Sequence, residues 1–380
     1  MKNTLYAVAA MVGAIIGAGV LGIPYVFAKA GVLLGLSSLI LIGLVVLLLN
    51  LMLGEVTLRT KKSHMLPKLA EIFLGKTGKV LMFAAIFVGI WGAMIAYLIG
   101  VGESLAAIFG VSTILGLSSN LFFSLIFFAT ASTLVYFGLK AVTKGELLMA
   151  GATVLIIIVL SIMGLTRINL SNLATVNFSN IFLPYGVILF AILGTSMIPE
   201  VRRILENDKK AIKKAILIGV LTPMILYGVF SIAAVGVTGA STTEIATIGL
   251  GFSLGAAAIF LGNLFAIFAM AGSFVILGLA LKDSLVDGLN MKPKLAFLLT
   301  VTIPLLVFLL GVKSFIGVIG FTGAIAGGLD GILVALMWRS ARRGGRTPEY
   351  KVRFGLASYI LILVFSLGII YTFLNLFGIL

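Results

Sequence analysis

The chain has 380 residues, 61% of them hydrophobic and only 10% charged, and its mean hydropathy is +1.26. A soluble domain has no means of burying so much apolar surface, so the composition describes a polytopic helical membrane protein. The absence of cysteine excludes disulfides and thiolate metal sites, and the single histidine, His64, excludes a histidine-rich metal centre and argues against histidine catalysis.

The first apolar run, residues 5–30, is too long and too rich in glycine to read as a cleavable signal. Within it, residues 13–24 read GAIIGAGVLGIP, with Gly13, Gly17, Gly19 and Gly22 followed by Pro24. Glycine frees the backbone to unwind and proline removes an amide donor. Unwound backbone at membrane depth is tolerated only where it is buried in protein or lines a cavity. Ile16-Gly17-Ala18-Gly19 therefore reads as a helix break that holds a ligand. The plainer reading is that small residues let two helices approach closely.

Ten more apolar segments follow, at roughly 34–58, 79–109, 119–138, 146–166, 182–202, 211–237, 254–281, 295–312, 316–339 and 354–376. Each is about long enough to cross a hydrocarbon core of ~30 Å at ~1.5 Å per residue. Residues 61–79 include LPKLAEIFLG, which sets Leu66, Leu69, Ile72 and Phe73 on one face and predicts a short interfacial helix. Residues 238–251, TGASTTEIATIGLG, read either as a lid over an outer vestibule or as an ordinary polar connection. NLS at Asn169 and NFS at Asn177 match the glycosylation pattern, which is short and common.

Charge fixes the expected orientation. With the N-terminus inside, all of the 27 basic residues except Lys29, Arg167 and Lys313 fall on the inner side, including Lys2, Arg59, Lys140, Lys144, Arg202, Lys210, Lys282 and Arg342. The net charge of +15 is thus a topology signal spread over several loops, not a nucleic-acid surface. The expectation is an integral membrane protein, in the cell (plasma) membrane, with a cytoplasmic N-terminus and the C-terminus outside.

Residues 19–26, GVLGIPYV, and 194–201, GTSMIPEV, share the pattern G-x-x-x-I-P-x-V at an offset of 175 positions. The same offset carries segments 34–58, 79–109, 119–138 and 146–166 onto the seventh, eighth, ninth and tenth segments. Five segments per copy turn the second copy over in the membrane, the inverted repeat of many secondary transporters. Residues 1–345 form the expected ten-helix core, with repeats at about 5–166 and 182–339. Residues 346–380 are a linker and an eleventh transmembrane helix, which packs on the edge or makes a homo-oligomer contact. A broken helix exposes amides at one end, suited to a carboxylate, and carbonyls at the other, suited to a cation. The amides around Ala18, Gly19 and Val20 would hold a substrate carboxylate, and the carbonyls of Ile192, Leu193 and Gly194 its ammonium group. Thr195 and Ser196 either add hydroxyl contacts or bond back to their own helix.

GAIIGAGVLGIPYVFAKAG, with FAILGTSMIPEV at 190–201, resembles the amino acid/auxin permease family, and within it the hydroxy and aromatic amino acid permeases of tryptophan and tyrosine permease type. That family sits in the amino acid–polyamine–organocation superfamily. The resemblance implies an all-α polytopic LeuT-type 5+5 inverted-repeat fold with an added eleventh helix. It also implies cation-coupled amino acid symport by alternating access, with no cofactor beyond a coupling H+ or Na+. The carried-over substrate contacts are Gly17, Ala18 and Gly19 with Phe190, Leu193, Gly194 and Thr195. Gly194-Thr195-Ser196 stands where many relatives have a polar or histidine residue. In such a fold the third segment lines the site, so Tyr97 is an aromatic gate or a packing residue, while Trp91 is structural.

A sodium site of this fold would use carbonyls near Gly13 and Ile16 with hydroxyls of the eighth segment, where only Ser273 is offered. A proton needs one buried titratable group, and acids inside a membrane are functional candidates by default. Asp330, flanked by Gly327, Gly328 and Gly331, is the acid expected near the midplane. Glu103 and Glu55 fall nearer the ends of their segments, and Glu200 either pairs with Arg202 or Arg203 or serves an inner gate. Proton coupling is favoured over sodium on this basis. The competing function is an exchanger or uncoupled facilitator of amino acids or amines. A metal-ion transporter would need an acid and a polar ligand in GAIIGAG, which has neither, and an intramembrane enzyme would need HExxH, which is absent, or paired aspartates at suitable places, where none sit.

Overall fold

In the computed structural model the described residues are 2–138, 141–344 and 346–378. Lys140 lies outside them, and the side chains of Lys2 and of residues 141–150, Lys144 included, are likewise outside the description. The chain runs α1 (Lys2–Ile15), α2 (Gly19–Ala30), α3 (Val32–Leu58), α4 (Leu66–Phe109), β1 (Thr113–Ile114), β2 (Leu117–Ser118), α5 (Ser119–Phe137) and α6 (Ala141–Leu165). It continues through α7 (Leu183–Ile192), α8 (Ile198–Ile204), α9 (Ile212–Thr238), α10 (Ala246–Leu254) and α11 (Ala256–Leu289). It ends with α12 (Pro293–Leu309), α13 (Phe315–Thr322), α14 (Gly328–Ala341) and α15 (Ala357–Leu376). Among the described residues, 8 helical stretches are long and apolar enough to cross a membrane, or 9 if the bent pair of α1 and α2 counts as one span. Residues Gly151–Leu165 and Pro293–Leu309 form shorter apolar helices. Every apolar segment expected from the sequence falls on a helix or an interrupted helix.

Three of these segments are interrupted. α1 and α2 meet at a 58° bend. α7 and α8 are separated by Leu193, Gly194 and a 3-10 turn at Thr195–Met197. α13 and α14 are joined by a π-helical turn, Gly323–Gly327. The interrupted helices pack on one another, α2 on α7 and α7 on α13, while α3 and α9 flank them. α4 and α11 form a second packed pair beside them.

The connections carry structure too. Gly75 takes a non-helical conformation inside α4 and sets residues 66–74 off as a separate helix, as the amphipathic pattern predicts. Leu66 and Leu69 are buried there, Phe73 is half-buried and Ile72 is 44% exposed, so only part of the predicted apolar face meets protein. Residues 239–254 hold a 3-10 turn and the short α10, packed on α11, α9 and α2. Glu244 from this segment accepts from the Ile316 amide at 3.0 Å and from the Ser314 hydroxyl, capping α13. Asn169 and Asn177 each cap a 3-10 turn through their side-chain oxygen.

On the face that carries most basic residues, Glu55 is fully buried and ties three elements together. It accepts from Arg59, from the Trp338 indole of α14 at 2.9 Å and from the Val352 amide at 2.8 Å. Tyr350 donates to the Leu51 carbonyl at 2.7 Å, so residues 350–352 are docked against α3.

Candidate functional site

The break between α1 and α2 begins where helical bonding runs out. Gly17 donates to the Ile15 carbonyl at 3.0 Å, and the amides of Ala18 and Gly19 find no backbone carbonyl among the described residues. These are free donors at the start of α2. Gly17 faces open space, with no atom within 4 Å of the position a Cβ would take. Gly19 does the opposite: a Cβ there would lie 2.7 Å from Cα and Cβ of Ala191, so its bare backbone lets α2 seat directly on α7. Ile16, Ala18 and Val20 are buried, whereas Gly13 is half-buried within α1.

The second break lies beside the first. Gly194 adopts φ +63°, the left-handed region that favours glycine, and turns the chain after α7. A Cβ there would lie 2.8 Å from the Ile15 side chain, so the breaks are in contact. Phe190 is half-buried against the π-helical turn, and Leu193 is half-buried. Thr195 is buried and donates its hydroxyl to Oδ2 of Asp330 at 2.6 Å. Two residues that the sequence assigned to different tasks are thereby joined. Ser196 diverges from them: it is exposed and has no side-chain hydrogen bond among the described residues.

Two further side chains, absent from the sequence candidates, hold the breaks. Asn50 of α3 is fully buried and donates Nδ2 to the Leu193 carbonyl at 2.9 Å. Tyr227 of α9 is fully buried and directs its hydroxyl at the carbonyls of Ile15, at 2.9 Å, and Ala191, at 3.3 Å. Those carbonyls end interrupted helices and lack their usual partners. The only sequence signals were an amide inside the run LLLNLML and a tyrosine inside a helix-forming apolar run.

The remaining candidates stand apart. Tyr97 is buried, and its hydroxyl faces Ser273 between α4 and α11, joining the candidate gate to the candidate sodium hydroxyl. Glu200 pairs with Arg203 at 2.6 Å near the surface. Arg202 is buried and donates Nη2 to the Thr60 carbonyl at 2.8 Å, while Ser63 donates to the Pro199 carbonyl. Among the described residues no group of three or more metal-ligating side chains occurs.

A helical membrane protein with paired helix breaks, free amides on one and a buried acid of α14 bonded to the other, has the build of a permease. The chain belongs to the tryptophan/tyrosine permease family, which it matches over residues 1–374. It is 27% identical to "Tyrosine-specific transport system 1" of Haemophilus influenzae, over 98% of this chain and 96% of that protein. It is 26% identical to "Glutamine transporter 2" of Aliivibrio fischeri, over 82% of each chain. It is 25% identical to "Tryptophan-specific transport protein" of Shigella flexneri, over 94% of this chain and 91% of that one. Amino acid transport is therefore the business of its relatives, and the site lies in a transporter.

Proposed function

We propose that the protein is a secondary active transporter of neutral or aromatic amino acids, driven by protons and working by alternating access. The single observation that carries this reading is the Thr195–Asp330 bond, which links the break after α7 to a buried acid. A ligand that reorganises the break then acts on the acid, and the acid's proton acts back on the break. The free amides of Ala18 and Gly19 take the substrate carboxylate. The carbonyls at 192–194 take its ammonium group, Leu193 keeping one lone pair beside its bond from Asn50. Tyr97 closes the pocket, and Glu200 with Arg202 and Arg203 belongs to the inner gate.

Sodium is the less suited ion, because the eighth segment offers a single hydroxyl, Ser273, to complete a site with the carbonyls near Gly13 and Ile16, and that hydroxyl faces Tyr97. The architecture that goes with this function is an inverted 5+5 repeat over residues 1–345, with residues 346–380 as linker and eleventh span. The N-terminus would be cytoplasmic and the C-terminus outside. Supporting it are the 175-residue offset and the helix breaks at matching places of the two halves.

The test is uptake by proteoliposomes of labelled tyrosine, tryptophan, glutamine and small neutral amino acids, under a pH gradient or a sodium gradient. The expected result is pH-driven accumulation that is abolished in Asp330→Asn. Sodium-driven uptake lost in Ser273→Ala would overturn the choice of ion. Equilibration without accumulation would favour the exchanger or facilitator, and no uptake by folded protein would overturn the function.

A further inference from the structure

Two buried oxygens beside the break after α7 have no hydrogen-bond partner: Oδ1 of Asn50 and Oδ1 of Asp330. Asn50 is fully buried and Asp330 is 6% exposed, so water in bulk does not serve them. An unpaired buried acceptor is costly, and two of them flanking one break call for a donor. Both side chains use their other polar atom on the same short stretch of chain, Asn50 on the Leu193 carbonyl and Asp330 on the Thr195 hydroxyl.

Their heights differ by less than one helical turn. α3 packs against α14, and Glu55 of α3 bonds Trp338 of α14. Counting back from that bond, Asn50 precedes Glu55 by five residues and Asp330 precedes Trp338 by eight. At ~1.5 Å per residue the two side chains start about 7.5 and about 12 Å from the bond, and their bonds to Leu193 and Thr195 bring both to the same break. Two acceptors have nothing to exchange as they stand. Turning the Asn50 amide over does not help, since its oxygen would then face the Leu193 carbonyl.

We infer that Asn50 and Asp330 form a two-oxygen proton site, in which a proton bound to Oδ1 of Asp330 is donated to Oδ1 of Asn50. One proton then completes a chain from the Thr195 hydroxyl through Asp330 and Asn50 to the Leu193 carbonyl. That chain returns to the break it started from and clamps it between α3 and α14. Without the proton the chain is open at one link. The inference rests on the proton-coupled reading above and gives Asn50 the part of a positioning residue, which acts through Asp330.

The charged and titratable groups on the packed elements leave this link to the two side chains. On α3 they are Glu55 and Arg59, paired with each other. On α4 they are Tyr97, facing Ser273, Glu103 further along toward Glu244, and at the far end Glu71 paired with Lys68 and Lys79, with Lys76 beside them. On α7 to α9 they are Tyr185, Glu200 paired with Arg203, Arg202 bonded to the Thr60 carbonyl, Lys213 and Lys214 at the start of α9, and Tyr227 on the Ile15 and Ala191 carbonyls. On α14 and α15 they are Arg339 and Tyr359, which bond each other, and Tyr371, stacked on Phe182. The side-chain interaction acting on Asp330 is that of Thr195.

The test is infrared difference spectroscopy of the full-length protein in lipid, recorded as pH is changed. It reads the C=O stretch of a protonated carboxylic acid, assigned to Asp330 by its loss in Asp330→Asn. In the wild type the band should show a hydrogen-bonded acid. In Asn50→Leu it should move to the higher frequency of a free acid, and Asn50→Gln should restore part of the shift. Proton-driven accumulation of whichever amino acid the uptake panel identifies should fall about tenfold in Asn50→Leu, the change expected for one lost bond of ordinary strength. Asn50→Ser carries the same prediction if the leucine variant does not fold. A band that keeps its frequency in folded Asn50 variants overturns the inference, even if transport is proton-driven. A band that shifts as expected while no amino acid is taken up upholds the proton site and overturns the amino acid reading.

Discussion

Tyr227 points one hydroxyl proton at two carbonyls, Ile15 and Ala191, that belong to different interrupted helices. In an unbroken helix each carbonyl would accept from the amide four residues on, and there would be nothing for a side chain to do. The sequence marks Gly17, Gly19 and Gly194 as places where the backbone departs from a helix, because glycine carries that information in itself. Asn50 and Tyr227 carry none of it: their partners are carbonyls that become available only once the chain has folded and the helices have stopped. Thr195 and Asp330 were each legible as polar residues in apolar runs, but their bond, across 135 positions of sequence, was not. Tyr227→Phe keeps the ring and removes the hydroxyl, leaving the Ala191 carbonyl without this donor and the Ile15 carbonyl with the Gly17 amide alone. It should cost about 1–3 kcal/mol, the penalty for buried acceptors left unsatisfied. A lowered thermal midpoint in detergent checks this, and a midpoint equal to that of the wild type would show that the bonds contribute nothing.

Elements behave differently from single residues, because a break is legible while its geometry is not. The run GAIIGAGVLGIP announced the interruption between α1 and α2, but not the 58° bend, which is set by how α2 lies on α7. The sequence GAIAGG gave the small residues around Asp330 without the π-helical turn that precedes α14. The hairpin of β1 and β2, turning at Leu115 and Gly116 with positive φ, had no apolar or polar period long enough to be read. Direct seating of α2 on α7 depends on Gly19, whose missing Cβ is replaced in space by Ala191. Gly19→Ala drives a methyl into backbone as well as side chain, so neither rotamer change nor a flexible tip relieves it. The variant should lose about 1–3 kcal/mol of stability, as overpacked sites do. It should also lose uptake, because the amides of Ala18 and Gly19 move with the helix. Preserved uptake kinetics in Gly19→Ala would mean that α2 is free to shift without consequence for the site.

For the molecule as a whole, orientation is the property that the sequence states most plainly and the fold alone leaves unstated. The fold shows which groups share an end. Glu55, Tyr350, Arg202 and Ser63 bind the loop after α3, the start of α8 and residues 350–352 into one assembly. That assembly carries Arg59, Lys61, Lys62, Arg202, Arg203, Arg346 and Lys351, whereas the opposite end, where Glu244 caps α13, has Lys29, Arg167 and Lys313. By the positive-inside rule, the proposed orientation puts the first end in the cytoplasm. On the proposed orientation and function, this assembly is held by buried hydrogen bonds to backbone and would have to open for substrate to leave inward. Because the chain has no cysteine, single introduced thiols report sidedness without background. Leu170 is 77% exposed in the connection between α6 and α7, and Lys210 is exposed just before α9. In intact cells a membrane-impermeant maleimide should label Leu170→Cys at once and Lys210→Cys only after the membrane is opened. The reverse pattern would invert the topology, exchange the inner and outer gates, and reassign Glu200 and Arg202 to the side from which substrate enters.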